Sequence, residues 1–335
     1  MISGAPPAAR WLRSEPRRSL PASDLDPLIR RAFGSRRVIE IQPLSGGYRN
    51  ANFKVRLDHQ ADPVVFRIYE HDPSLCRKEV DVMQLVAGSV PVPEVLCTEP
   101  AGLGDLPPFV VLSFVEGITF RDLKRGKDRT AIAEAAFSAG ETLAAIGKVK
   151  FPSPGWLGPG PKVMAPLLEG ENPTLRFVDS CLESTNLQRR VPGELRDRTR
   201  DELLRWAPQF ARLDAETHLA HGDFGKRNLL VRCLAGHWRV EAVLDWEYAI
   251  SSSPLVDIGH FLRYERSGQD LLEPHFSQGY LAAGGTLPAD WQRLAALLDL
   301  TALCETLTHD ELPDPVVAEL LELVRNAVDA PEISR

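Results

Sequence analysis

Cysteine is scarce. The five residues Cys76, Cys97, Cys181, Cys233 and Cys304 are an odd number, lie far apart and form no C-x-x-C pair. Neither a disulfide framework nor a zinc ribbon can be read from that pattern, and a reducing cytoplasm suits it. No run of 18 apolar residues exists, and the first 22 residues lack the apolar centre of a secretory signal. The expectation is a cytoplasmic protein without a membrane partner. A basic excess is missing as well: 39 Lys and Arg stand against 46 Asp and Glu, a net charge of −7. That balance argues against a sequence-independent nucleic-acid binder, which needs a basic surface. Internal repeats are absent, and so are G-x-x-x-x-G-K-[ST], a post-strand G-x-G-x-x-G, G-x-S-x-G and H-E-x-x-H. The glycines from Gly155 to Gly160 are followed by Pro161 where a phosphate-binding loop needs Lys.

What is present is 335 residues of ordinary globular composition, 44% apolar and 25% charged, enough to bury a sizeable core. Residues 1–22 are rich in Pro, Arg, Ser and Ala and read as a flexible basic tail. Ser23-Asp24 can cap a helix that Gly34 ends. Val38–Leu44, Ala51–Leu57 and Val64–Tyr69 read as strands of an antiparallel meander, Pro73–Ala87 as a helix, and Glu94–Thr98 and Phe109–Val115 as two more strands. Residues 23–115 therefore read as one N-terminal lobe, a five-stranded antiparallel sheet carrying the Pro73–Ala87 helix, behind the leading helix. From 116 to 335 the period becomes helical, as in Asp128–Val149, Glu194–Leu213 and Pro288–Leu307. Phe151–Pro166, with five prolines and three glycines, reads as an inserted exposed loop. One hairpin, Leu229–Cys233 with Arg239–Leu244, interrupts the helices. The fold class is α+β and two-lobed.

The strongest chemical signal is His221-Gly222-Asp223-Phe224-Gly225-Lys226-Arg227-Asn228, a polar loop directly before that hairpin. Phosphoryl transfer needs a carboxylate to accept a hydroxyl proton and an amide oxygen for Mg²⁺. Protein-kinase catalytic loops set these groups five positions apart, as Asp223 and Asn228 are. Asp245 ends the hairpin and so returns to Asn228, giving oxygen donors suited to a hard cation. Asp, Asn and Gly also make ordinary turns, but the joint order and spacing favour chemistry. In the first lobe Ser45-Gly46-Gly47 joins two strands and can bring backbone N–H groups to phosphates. Alternation places Arg67 on one face of the third strand. Glu79 interrupts the apolar stripe Leu75, Val82, Met83, Val86; a buried carboxylate needs a basic partner, and Arg67 is the obvious one.

Taken together these residues resemble the aminoglycoside phosphotransferase and choline-kinase-like superfamily of small-molecule kinases, over roughly residues 36–283. Its fold is a relative of the protein kinases. His221-Gly222-Asp223 with Asn228 carries the resemblance; Leu244-Asp245-Trp246-Glu247-Tyr248, Ser113-Phe114-Val115-Glu116-Gly117 and Pro254-Leu255-Val256-Asp257-Ile258-Gly259 support it. The resemblance implies ATP, or alternatively GTP, as phosphate donor with Mg²⁺. It makes Asp223 the catalytic base, Asn228 and Asp245 the metal ligands, and Arg67 with Glu79 the phosphate-orienting pair. Residues 112–117, with Ser113 and Val115, would line the adenine pocket, and Asp257 would brace the catalytic loop. Arg67 stands where the antibiotic kinases usually have Lys, and Trp246-Glu247 replaces the Phe-Gly of protein kinases. A protein kinase is disfavoured, since 90 residues follow Asp245 and the sole A-P-E lies at Ala330-Pro331-Glu332. The implied partner is a small hydroxylated acceptor: an aminoglycoside, choline or ethanolamine, homoserine or a macrolide. Glu265, Asp270, Glu273, Asp310 and Glu311 are candidates to receive a cationic one, or are simply solvated helix faces. The alternative of a different class is a nucleotide-binding pseudokinase scaffold, against which every role-bearing residue is present.

Overall fold

The computed structural model describes residues 22–44, 50–70, 72–104, 106–167, 170–265 and 271–329, without the side chains of 22–26. The expected basic tail, the Ser45-Gly46-Gly47 loop, Asp270 and Ala330-Pro331-Glu332 lie outside them, apart from Ala22.

The N-terminal lobe runs α1 (Ala22–Phe33), β1 (Val38–Pro43), β2 (Ala51–Leu57), β3 (Val64–Ile68), α2 (Leu75–Val86), β4 (Val95–Glu99) and β5 (Phe109–Ser113). Its five strands form one antiparallel sheet in the order β1-β2-β3-β5-β4. Strand alternation separates the two faces. Phe66 and Ile68 pack with Leu28 and Ile29 of α1, while Val65 and Arg67 face the side covered by α2. Val82, Met83 and Val86 of α2 are buried on the sheet, each worth about 1.5–3 kcal/mol relative to exposure.

The chain then continues through β6 (Ile118–Thr119), α3 (Phe120–Arg125), α4 (Arg129–Ile146), β7 (Gly155–Gly158), β8 (Lys162–Ala165), α5 (Pro173–Leu182), α6 (Thr185–Arg190), α7 (Gly193–Arg205) and α8 (Ala207–Leu213). After these come β9 (His218–Ala220), β10 (Leu229–Leu234), β11 (His237–Val243), β12 (Ile250–Ser252), α9 (Leu255–Leu262), α10 (His275–Ala282), α11 (Trp291–Leu307) and α12 (Asp314–Asp329). Asp128 and Thr119 cap α4 and α3, their side chains accepting from the N–H groups of Ala131 and Asp122. The result is the two-lobed, protein-kinase-like α+β architecture expected. Among the described residues no helix is long and apolar enough to cross a membrane.

Three local expectations change. Phe151–Pro166 contains β7 and β8, and β7 pairs with β12 in the sheet β8-β7-β12-β9. The prolines stand before, between and after these short strands, so they leave the ladder free, and the partner strand is remote in sequence. Glu194–Leu213 is broken at Trp206, because Pro208 in the first turn of α8 supplies no backbone N–H. The hairpin is tighter than expected: Ala235 and Gly236 both have positive φ, at 51° and 88°, and close it in two residues.

Candidate active site

A cleft of about 1000 Å³ lies between the lobes. Arg67, Glu79, Ser113, Val115, Asp223, Asn228 and Asp245 all line it, so residues chosen from separate segments meet at one place. Ser45, Gly46 and Gly47 fall outside the described residues.

Arg67 is the node of the first-lobe wall. Its Nε donates to Glu79 Oε2 at 3.0 Å and its Nη2 to Asp245 Oδ1 at 2.6 Å, linking β3, α2 and the segment after β11. The Tyr69 hydroxyl also donates to Glu79 Oε2, and the Trp246 N–H to Oε1 at 3.2 Å. Three donors on one carboxyl group suit the acceptor-only carboxylate. Burial lifts the Glu79 carboxyl above its ordinary value and Arg67 opposes that rise. Burial also works against the Arg67 charge, yet Glu79 and Asp245 carry the guanidinium well above its usual range.

The loop from His221 to Asn228 is held mainly through its backbone. Asp257, near the start of α9, accepts the His221 and Gly222 N–H groups at 2.6 and 2.9 Å. His221 Nδ1 faces the Asp223 N–H at 3.2 Å and Nε2 the Leu244 carbonyl at 3.0 Å. Accepting at Nδ1 assigns the proton to Nε2. Gly222 adopts φ +75°, where a Cβ would stand 2.2 Å from the Tyr248 carbonyl oxygen, so only glycine fits that approach. Asn228 Nδ2 donates to the Asp223 carbonyl at 2.9 Å, and the Leu244 N–H donates to the Asn228 carbonyl at 2.8 Å. The hairpin thus returns Asp245 beside Asn228.

Asp245 sits at φ 69°, ψ 63°, a left-handed conformation costing a non-glycine residue about 1–3 kcal/mol. Glu247 follows: its Oε2 accepts from Asn50 Nδ2 at 2.9 Å and lies 3.8 Å from Arg67 Nη2. Burial, and then the Asp245 charge, push the Glu247 carboxyl up to about 7. Glu79, Asp245 and Glu247 therefore converge on one guanidinium, an excess of negative charge that a cation relieves. Hard oxygen donors of this kind fit Mg²⁺. Among the described residues no three His, Cys, Asp or Glu side chains form a self-sufficient metal site. An ion that takes one carboxylate, one amide oxygen and phosphate oxygens needs none.

Several site residues escaped the sequence. His260 Nε2 lies 3.2 Å from Asp223 Oδ1. Lys78 Nζ donates to the Glu247 carbonyl at 2.8 Å, and burial lowers its ammonium to about 8. Asn50 and Glu247 pair across the lobes. The hydrophobic stripe that exposed Glu79 carried no such signal for these. Of the acidic residues considered for a cationic acceptor, Glu265 pairs with Lys124, Glu273 accepts from Ser277 and Asp310 from Asn186. None of the three lines the cleft.

A family model described as "Phosphotransferase enzyme family" matches residues 40–297. Among curated proteins, Acyl-CoA dehydrogenase family member 11 of Gallus gallus is 28% identical over 237 residues, 68% of this chain and 28% of that protein. Acyl-CoA dehydrogenase family member 10 of Mus musculus is 25% identical over 187 residues, 55% of this chain and 16% of that protein. The chain thus matches little more than a quarter of the length of these relatives at most. Solved structures share the fold. Aminoglycoside phosphotransferase APH(4)-Ia, in ternary complex with AMP-PNP and hygromycin B, has TM-score 0.65 at 20% identity, covering 93% of this chain and 100% of that one. The GDP complex of aminoglycoside 2'-phosphotransferase-IIIa has TM-score 0.67 at 17% identity, covering 92% and 98%.

Proposed function

Since the chain belongs to the phosphotransferase enzyme family, we propose that it moves the γ-phosphate of ATP to a hydroxyl of a small molecule in a Mg²⁺-dependent reaction. In this reading residues 23–115 bind the nucleotide and residues 116–335 supply the catalytic loop and the acceptor site. The five free thiols support a cytoplasmic setting.

The observation that carries the reading is the joining of Arg67 to both Glu79 and Asp245, in one cleft with Asp223 and Asn228. Arg67, held by Glu79, presents a fixed guanidinium to the phosphates. The 112–117 segment, including Ser113 and Val115, takes the base of the nucleotide. Asp223 orients the acceptor hydroxyl and takes its proton as the oxygen bonds to the γ-phosphorus and the bond to the departing ADP breaks; such a base contributes about 10²–10⁴-fold. His260 and Asp257 position Asp223, one through its carboxylate and the other through its loop. Asn228 and Asp245 would hold Mg²⁺, which offsets charge on the transferring phosphoryl group.

Two of the similar folds were solved with AMP-PNP and with GDP, so the test compares ATP with GTP. ADP or GDP release is measured against a panel of alcohols from every acceptor class. Acceptor-dependent release that drops by orders of magnitude in Asp223→Asn, with nucleotide binding retained, supports the proposal. Nucleotide binding with no acceptor-dependent release across the panel points to the scaffold instead.

A further inference from the structure

The part of the cleft floored by the helical lobe has a charge pattern that the phosphotransfer machinery does not use. Arg121 of α3, Lys226 and Arg227 of the catalytic loop and Arg263 after α9 line it, facing the carboxylates of Asp122 and Glu319. Both acids are engaged with protein groups. Asp122 accepts from the Thr119 hydroxyl at 2.6 Å and from Arg125 at 3.2 Å, and Glu319 meets the Tyr264 hydroxyl. Arg263 is likewise satisfied, donating twice to Asp299 at 2.6 Å.

Arg121 and Lys226 differ from these. Lys226 Nζ donates to the Phe261 carbonyl and lies 5.1 and 5.8 Å from the ring centroids of Phe261 and Tyr264. It forms no ion pair with a carboxylate among the described residues. Arg121 Nε is buried without a hydrogen-bond partner, and Asp122 lies 3.7 Å from it, beyond hydrogen-bond reach. A backbone hydrogen bond of 2.9 Å, from the Arg121 N–H to the Lys226 carbonyl, holds the two residues side by side next to the Asp223 loop. Arg121 meets Asp122 only at 3.7 Å and Lys226 uses one donor on a carbonyl, so both keep donors for an incoming anion. Burial lowers the Lys226 ammonium to about 7, and an anion beside it would favour the charged form. A cationic acceptor has the opposite prospect: Glu265 is taken by Lys124 and by the Leu271 and Leu272 N–H groups, and no unengaged acid offers itself on this wall among the described residues.

We propose that the acceptor is an anionic alcohol, a hydroxylated molecule carrying a carboxylate or a phosphate, whose anion is received by Arg121 and Lys226 while its hydroxyl meets Asp223. This rests on the phosphotransferase reading above and names the substrate class for it. A guanidinium offers paired donors to either anion, and the ammonium adds a point charge.

The test uses the full chain, Mg²⁺, γ-labelled ATP and a small-molecule cell extract resolved by ion exchange into anionic, neutral and cationic pools. Label should pass to an acid-stable phosphate ester in the anionic pool. Pretreating that pool with phosphatase separates the sources: transfer that survives marks a carboxylate, and transfer that disappears marks a phosphate. Arg121→Gln and Lys226→Gln should each raise the amount of anionic pool needed for half-maximal rate by about tenfold or more, with the ATP KM unchanged. Arg121→Lys, which keeps the charge, should lose less. Transfer to the neutral or cationic pool overturns the proposal. So does a rise in the ATP KM with acceptor dependence unchanged, since the two cations would then serve the nucleotide. Binding of MgATP with transfer to no pool is a different failure, that of the phosphotransferase reading itself. Should a variant fail to fold, the charge of the accepting pool still decides.

Discussion

His260 Nε2 stands 3.2 Å from Asp223 Oδ1, and both side chains are largely buried. The same helix carries Asp257 one turn earlier, which accepts the N–H groups of His221 and Gly222 in the Asp223 loop. Helix α9 therefore fixes the loop backbone with one residue and one oxygen of Asp223 with another.

His260→Ala is accordingly expected to lower kcat by about 10–100-fold, with the ATP KM unchanged, because an outer partner of a reacting group acts on the chemical step. His260→Asn, which retains a donor, should recover part of the rate. Steady-state kinetics of the two variants decide; equal losses in both would show that His260 only fills space.

The Arg67–Glu79 bond predicts non-additivity. Arg67→Ala and Glu79→Ala should each raise the ATP KM and lower kcat, and their double-mutant cycle should show coupling of about 0.5–3 kcal/mol. Arg67→Lys tests geometry separately. The guanidinium reaches Glu79 and Asp245 through different nitrogens, which one ammonium on a flexible stem reproduces poorly, so a clear loss is expected. Strict additivity in the alanine cycle would contradict the pairing.

Metal dependence should divide between Asp245 and Asn228. Asp245→Ala is expected to abolish Mg²⁺-dependent nucleotide binding, and Asn228→Ala to weaken it less, since a carboxylate holds a hard cation more strongly than an amide oxygen. Titrating Mg²⁺ against nucleotide affinity measures both. An unchanged metal response in Asp245→Ala would remove it from the site.

Lys78 gives a pH test of burial at the lobe interface. Its ammonium is lowered by burial to about 8 from an ordinary 10.5, with Glu247 and Glu79 opposing. The unfolded chain then binds this proton more tightly than the folded one, so the fold gains stability as pH rises from about 8 to about 10.5. The stability difference between wild type and Lys78→Met should increase across that window in paired denaturant melts. A difference independent of pH would mean that the ammonium is solvated.

Composition, periodicity and spacing determined much of this protein. The Asp223 to Asn228 interval lies within one loop, the return of Asp245 follows from a hairpin, and Glu79 is conspicuous because a carboxylate breaks an apolar helical stripe. Each of these signals is contained in a short stretch of chain, where backbone geometry alone relates the residues. Tertiary structure decided the rest. That His260 faces Asp223, Asn50 meets Glu247, Lys78 donates to the Glu247 carbonyl and β7 joins β12 depends on how separate elements pack. No local pattern marks a histidine on α9 as the partner of a loop it does not adjoin. The charge of this wall of the cleft is likewise a matter of packing: the sequence offered acidic residues for a cationic acceptor, but Glu265 is drawn to Lys124, while Arg121 lies 3.7 Å from Asp122 with its Nε unbonded and Lys226 donates to the Phe261 carbonyl. Which charges neutralise one another is set by distances between elements, and those distances exist only once the core has closed.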